Sequence, residues 1–525
     1  MAGFAIAVTL VPQGLGYGQV AGLHPVAGLY TAVGAMVVFA LFTSSRLVAV
    51  GPSSTMAIMT FAAVSGRASG DAHRTIALSA CLALLPGRLR GLATFMSGPV
   101  VLGYLAGTAV QVMAGQVGTL LGVPTHSNRP MVKLWQVLTH LEQTHVVTAV
   151  VGVSSLVALI VLKKALQAVP ALRAVPPTPV VCVVAVIVSA AVDLGGHGVA
   201  LTGGISGGLP APTWPDVTAG DVWALLPAAA GMAMIASIED VAALRRAGAS
   251  EGRVSLVRES VAMGAASAAV GFLGGFASMA STQRTLSARS AGAHSQLYQL
   301  AGAGFVVVGL LTTGPVIGLL PKTVLAAVVM VSTSHLIDVA GFKELWQGWR
   351  SEALLALATM VAVLGLGVLH GLLVAVILAL LQLLRRVTWP HDAMLAVTAD
   401  GRTREVAPDE PTDADVLMYR VDAPLFFANA GRVQEKILSL AAARSPFPRY
   451  VVLDAEAVFH VDATAAEILA QLTVDLRERH CELVLARPRE SVLAVLRANA
   501  YASGATRRLR VFPTVGEAYA TLRAS

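Results

Sequence analysis

Long apolar runs, cut by short clusters of glycine, proline and charge, fill the first three quarters of the chain. Runs at residues 2–20, 25–41, 52–64, 75–86, 92–121, 146–162 and 178–192 form one series. A Gly/Pro-rich connection, 193–221, contains no Lys or Arg. A second series follows at 222–244 and 256–276, then a short segment closed by Gly292, then 296–311, 316–331, 353–368 and 369–384. A helix rises ~1.5 Å per residue, so such runs suit a bilayer, and the pattern predicts about fourteen spans in two sets of seven. The run at 75–86 is short for a crossing.

Two segments are interrupted in the same way. In Ser44-Ser45-Arg46-Leu47-Val48-Ala49-Val50-Gly51-Pro52-Ser53-Ser54-Thr55, a Gly-Pro pair stops one segment and hydroxyl residues open the next. Pro52 suits a first helical turn, where its missing N–H costs nothing. Residues 274–284 repeat the device: Gly274 and Gly275 end a segment, and Ser281, Thr282 and Gln283 open a short one before Arg284. Both interruptions hold the third place of their series. Irregular backbone within a membrane survives only where protein or a wet cavity receives it. A helix start presents free N–H groups and partial positive charge, which favour an anion. Matching broken segments in two halves point to an inverted-repeat transporter with a midplane site. An odd number of spans per repeat sets the halves in opposite topology.

After Arg386 the pattern changes. Residues 392–413 are polar and read as a linker. Strands at 416–421, 450–453 and 482–486 alternate with helices at 431–443, 463–479 and 489–500, which makes one small α/β domain. The fold class is therefore an α-helical polytopic membrane protein followed by a small α/β domain, divided as 1–391, 392–413 and 414–525.

Composition agrees. The chain is 55% hydrophobic and 13% charged, with a mean hydropathy of +0.71, which describes an integral membrane protein. Residues 1–45 carry no Asp, Glu, Lys or Arg. No basic segment precedes the first run, so it reads as a span and not as a signal peptide. The pI of about 9.5 reflects bases in short loops, which excludes nucleic acid as the natural partner. With a cytoplasmic N-terminus, Arg46, Arg88, Arg90, Lys163, Lys164, Arg173, Arg245, Arg246, Arg253, Arg289, Lys343, Arg350, Arg385 and Arg386 fall inside. Arg67, Arg74, Arg129 and Lys133 fall outside. An even span count then leaves the C-terminal domain in the cytoplasm, at the inner (plasma) membrane. Cys81, Cys182 and Cys481 lack metal spacing and read as apolar filler. No nucleophile–base set or phosphate-binding loop is present, so neither an enzyme nor a cofactor is implied.

The chain resembles the sulfate permease (SulP) family, whose animal members include solute-carrier anion exchangers and prestin. The likeness rests on Val11-Pro12-Gln13-Gly14, Pro25-Val26-Ala27-Gly28-Leu29-Tyr30, Ser45-Arg46 with Gly51-Pro52, Ser237-Ile238-Glu239 and Arg258-Glu259. It continues through Gly274-Gly275-Phe276, Arg284-Thr285 and Leu320-Pro321-Lys322-Thr323-Val324-Leu325. Residues 421–430 are similar to the start of that family's C-terminal STAS domain. The resemblance implies a core (1–91 and 222–313), a gate (92–192 and 314–386), elevator-like motion, homodimers and an anion between the starts of spans three and ten. Members usually carry a segment before the first span, whereas this chain starts inside it, and the fourth span looks shorter than theirs.

On that resemblance Ser53, Ser54, Ser281, Thr282 and Gln283 open the two half-helices. Gln13 and Tyr17, four apart and hence on one helical face, line the site from span one. The alternative for that glycine-rich stretch is a face of small residues for helix packing. Arg284 matches a basic position of span ten. Mid-membrane arginine costs ~2.5–3.5 kcal/mol, so it faces a cavity or an anion, or pairs with a carboxylate. Glu239 matches an acidic residue near the anion site and would couple transport to a proton or to sodium; the alternative is pairing with Arg245 or Arg246. Thr464, on a strand-to-helix turn, matches a phosphorylated serine of related domains, unless Asp462 or Thr464 merely caps the helix. The expected function is secondary active anion symport, sulfate first, with bicarbonate or a dicarboxylate next. An anion channel or exchanger, or a membrane-tethered STAS regulator with a protein partner, are the other readings.

Overall fold

The computed structural model describes residues 2–68, 71–85, 97–125, 127, 129–168, 176–203, 212, 214–248, 255–312, 314–398, 402–407, 410, 412–498 and 509–524. Arg88, Arg90, Arg173 and Arg253 of the loop-charge count lie outside them. Two compact units form, Met1–Ala379 and Leu380–Ser525.

The first unit opens with α1 (Ala2–Val20), α2 (Ala27–Phe42), β1 (Val50–Gly51), α3 (Ser54–Ala68), α4 (Ala72–Leu84) and α5 (Gly98–Leu121). Next come α6 (Pro130–Thr139), α7 (Val146–Ala168), α8 (Pro177–Val192), α9 (Ala219–Gly248), α10 (Leu256–Phe272) and β2 (Met279–Ala280). It continues with α11 (Thr282–Ser290), α12 (Leu297–Thr312), α13 (Gly314–Gly318), α14 (Lys322–Ser334), α15 (Val339–Gly348) and α16 (Arg350–Leu366), and α17 (Val368–Thr388) leads out of it. Among the described residues, α5, α7, α9, α17 and the stretch Lys322–Gly348 are long and apolar enough to cross a membrane; α2, α4, α8 and α12 are shorter apolar helices. Two helices stand where the apolar pattern shows no run, α6 and α15. Both carry exposed tryptophans, Trp135 and Trp346, the residue type that favours a membrane–water boundary.

Lipid offers no hydrophobic contrast between helices, so close backbone approach does the packing. A Cβ on Gly28 would overlap the Gly14 carbonyl, which ties α1 to α2, and one on Gly103 would overlap the Ala356 carbonyl, which ties α5 to α16.

In the second unit six strands run in the order β4-β3-β5-β6-β7-β8. They are β3 (Asp392–Val397), β4 (Thr403–Val406), β5 (Val416–Val421), β6 (Tyr450–Asp454), β7 (Glu482–Ala486) and β8 (Arg510–Phe512). β5 to β8 are parallel, and β3 pairs antiparallel with both β4 and β5. The expected linker, 392–413, is thus corrected: Asp392–Val397 and Thr403–Val406 within it are the antiparallel strands β3 and β4 of the sheet. Helices α18 (Ala430–Ala442), α19 (Ala463–Glu478) and α20 (Glu490–Ala498) pack with Leu417, Tyr419 and Val421, while α21 (Val515–Arg523) packs with Val416 and Met418. This is the two-residue alternation of a sheet covered on both faces. At the end of β6, Asp454 is fully buried and accepts from Arg487 Nε at 3.1 Å.

Candidate functional site

Between α2 and α3 the chain leaves the helix and must find hydrogen bonds in apolar surroundings. Side chains supply them. Glu259, buried in the first turn of α10, accepts from Thr43 Oγ1 at 2.7 Å, Ser44 N at 2.6 Å, Ser44 Oγ at 2.7 Å and Ser45 N at 3.1 Å. Gln296 Nε2 donates to the Ser45 and Val48 carbonyls at 3.0 and 3.1 Å, and Tyr298 Oη donates to Leu47 O at 2.9 Å. Gln299 accepts from Val50 N and donates to Val48 O, both at 3.0 Å. Thr285 Oγ1 accepts from Ala49 N at 3.0 Å. The second interruption is held alike: Thr31 Oγ1 accepts from Phe276 N at 3.1 Å, and Asp240 Oδ1 accepts from Ala280 N at 2.8 Å.

The two interruptions then pair with each other. β1 and β2 form an antiparallel ladder, Val50 opposite Ala280 and Gly51 opposite Met279, extended by Ser281 N donating to Ala49 O at 2.9 Å. Two residues past Gly51 stands Ser53, whose Oγ accepts from Met56 N at 3.2 Å. One residue past Ala280, Ser281 caps α11 by accepting from Arg284 N at 3.3 Å. Both helix starts therefore meet at one short ladder, and their N–H ends share one place.

A cavity of ≈ 490 Å³ opens there. It brings together every expected site residue of the membrane unit: Gln13, Tyr17, Ser53, Ser54, Ser281, Thr282, Gln283, Arg284 and Glu239. Gln13 Nε2 donates to Ser332 Oγ at 3.5 Å, and the Tyr17 hydroxyl lies within reach of Ser54 and Ser332. Gly14, Gly16 and Gly18 on the same helix abut Gly28, Val329 and Pro25. So α1 packs closely through its glycines and also lines the cavity with Gln13 and Tyr17.

Arg284 lines the cavity beside Pro52. Its Nη1 donates to Pro52 O at 2.9 Å, while Nε and Nη2 are buried without a partner. No carboxylate lies within ion-pair distance among the described residues. Two charged donor nitrogens thus lie at the meeting of two helix starts, a place whose chemistry suits an anion.

Several cavity residues escaped the sequence reading. Ser332, His335 and Asp338 line it from α14 and just beyond. Nothing in the sequence marks them, since polar residues beyond the end of an apolar run are ordinary at a membrane boundary, unlike an arginine inside one. Asp240, next to Glu239, is the buried acceptor that fixes β2. In the second unit Asp462, not Thr464, caps α19, accepting from Ala465 N at 2.8 Å and from Phe427 N at 2.9 Å. Thr464 is exposed in the first turn of that helix.

The sulfate permease family matches residues 1–359, and the STAS domain matches 407–518. The chain belongs to the sulfate permease family. It is therefore a membrane transport protein with anions as cargo, and not an enzyme. A probable sulfate transporter of Mycobacterium tuberculosis is 36% identical over 512 residues, which is 95% of this chain and 90% of that protein. The structure of the murine Solute Carrier 26 family member A9 anion transporter in the inward-facing state superposes with a TM-score of 0.89 at 19% identity, covering 100% of this chain and 91% of that one. The transmembrane domain of a cyanobacterium bicarbonate transporter gives 0.61 at 22% identity, over 72% and 95%. At those identities the likeness to the two solved structures is one of fold.

Proposed function

We propose that the chain is a secondary active transporter of sulfate, which binds between the starts of α3 and α11 and moves by an elevator-like displacement of core against gate. The observation that carries this reading is the pair of unpartnered Arg284 donors beside two helix N-termini in one cavity. A tetrahedral dianion suits such a place, because it offers acceptors in every direction to backbone N–H groups, Ser and Thr hydroxyls, and a guanidinium. Each helix start contributes ~0.3–1 kcal/mol, up to ~2 when partly buried, which is enough to hold an ion and still release it. Glu239, half-buried on α9 in the same cavity, carries the coupling proton or meets the coupling sodium. The protein works as a homodimer with the STAS domain in the cytoplasm, where Thr464 takes a phosphate and the domain meets its protein partner.

The test is uptake of labelled sulfate into proteoliposomes under an imposed proton or sodium gradient, with bicarbonate and fumarate as competitors. Gradient-driven accumulation blocked best by sulfate supports the reading. Stronger block by bicarbonate or fumarate reassigns the cargo, and currents far above carrier turnover would make it a channel.

A further inference from the structure

Behind α14, on the side away from the anion cavity, lies a second hollow of ≈ 440 Å³. Met113 of α5, Leu156 and Ile160 of α7, and Met330 and Val331 of α14 make its walls, and Lys163 and Lys164 stand at its rim with Ser334. Both lysines are exposed, and neither has an acidic partner among the described residues. We propose that this hollow binds an anionic phospholipid, with an acyl chain in the aliphatic slot and the headgroup phosphate on the two lysines.

Three observations converge. α7 is the most outwardly exposed of the long apolar helices: only 22% of its apolar window is buried, and Val150, Val153, Val157 and Val161 face outward. Lys163 comes seventeen residues after Val146, about 26 Å along the axis at ~1.5 Å per residue, which is the depth of a headgroup layer. The charge pattern matches one ligand class. Lysines at the mouth of an otherwise apolar slot between helices complement a phosphate attached to hydrocarbon, whereas a free anion would leave the slot empty and a second copy of this face would bring four lysines together. The hollow also touches the anion cavity through α14. Met330, Val331 and Ser334 form its wall, while Ser332 and His335 line the cavity. A lipid wedged there sets how α14 leans on the transport pathway.

The experiment uses the full chain in vesicles of phosphatidylcholine containing a minor fraction of phosphatidylglycerol, with lipids retained after purification counted by native mass spectrometry. The wild type should retain phosphatidylglycerol in preference to phosphatidylcholine. The Lys163→Gln/Lys164→Gln pair should lose that preference by roughly tenfold or more. Ile160→Trp, which fills the slot and keeps both charges, should lower retention as well. Monodispersity of each variant in detergent shows that it is folded. Three results would overturn the proposal: unchanged retention in the lysine pair, displacement of the lipid by millimolar inorganic phosphate alone, or a cross-link between copies at position 164 in place of bound lipid.

Discussion

Arg284 and the adjacent carboxylates Glu239 and Asp240 of α9 show what individual residues do here. Arg284→Gln removes the charge but keeps a donor for the Pro52 carbonyl, so it should leave the protein monodisperse. A charged hydrogen bond contributes about 1.5–3 kcal/mol, so sulfate uptake should fall about tenfold or more in proteoliposomes; uptake at wild-type rates would remove Arg284 from the site. Glu239→Gln should abolish gradient-driven accumulation, and unchanged proton- or sodium-driven uptake would take Glu239 out of the coupling. Its neighbour is different in kind. Asp240→Asn offers an NH₂ group or a neutral oxygen to the Ala280 N–H, and should destabilise the protein by about 1–3 kcal/mol, read as a lower melting temperature in detergent. Glu239 was legible through its match to an acidic position of the family, not through the cost of a carboxylate in an apolar run alone. Asp240 was not, because two consecutive carboxylates carry the same cost signal, and only the path of α9 tells which meets the cavity and which meets β2.

The interruptions themselves were the most legible elements. Gly-Pro followed by Ser-Ser-Thr, and Gly-Gly followed by Ser-Thr-Gln, announce helix ends and helix starts by their backbone chemistry alone. What held them was hidden. Gln296, Tyr298 and Gln299 sit two hundred and more residues from the backbone they satisfy, and nothing local marks them as its partners. The helices α6 and α15 were missed because each is only 10 residues long and amphipathic, so neither makes the continuous apolar run by which a span is recognised. β3 and β4 were missed because an edge hairpin needs little apolar alternation, and β4 is exposed over three of its four residues. Ser281→Ala removes the α11 cap and should cost about 1 kcal/mol, again read as a lowered melting temperature. Gly103→Leu should prevent α5 from seating on α16, and loss of a monodisperse peak in gel filtration would report it.

The molecule as a whole divides as its composition suggests, an apolar part followed by a mixed one. The STAS unit offers a labelling handle. Cys481 is buried, and burial, with Glu482 beside it, pushes its thiol up to about 12. The group therefore stays a neutral thiol at pH 8, so maleimide should modify it only once the unit unfolds. Labelling in the native protein at the rate of free cysteine would contradict that burial. The cargo was not legible at any scale, since N–H groups and hydroxyls greet sulfate, bicarbonate and a dicarboxylate alike.

The paired β1 and β2 act as the hinge pin of a calliper whose jaws are α3 and α11. Because four backbone residues set the opening, side-chain exchange at the jaw tips cannot widen it, whereas deleting or inserting a single residue in either arm would spoil the fit for every ion at once. On the proposed reading, exchange of what coats the jaws, Ser53 and Ser54 on one and Thr282 and Gln283 on the other, would change which ion is held while the frame stays the same.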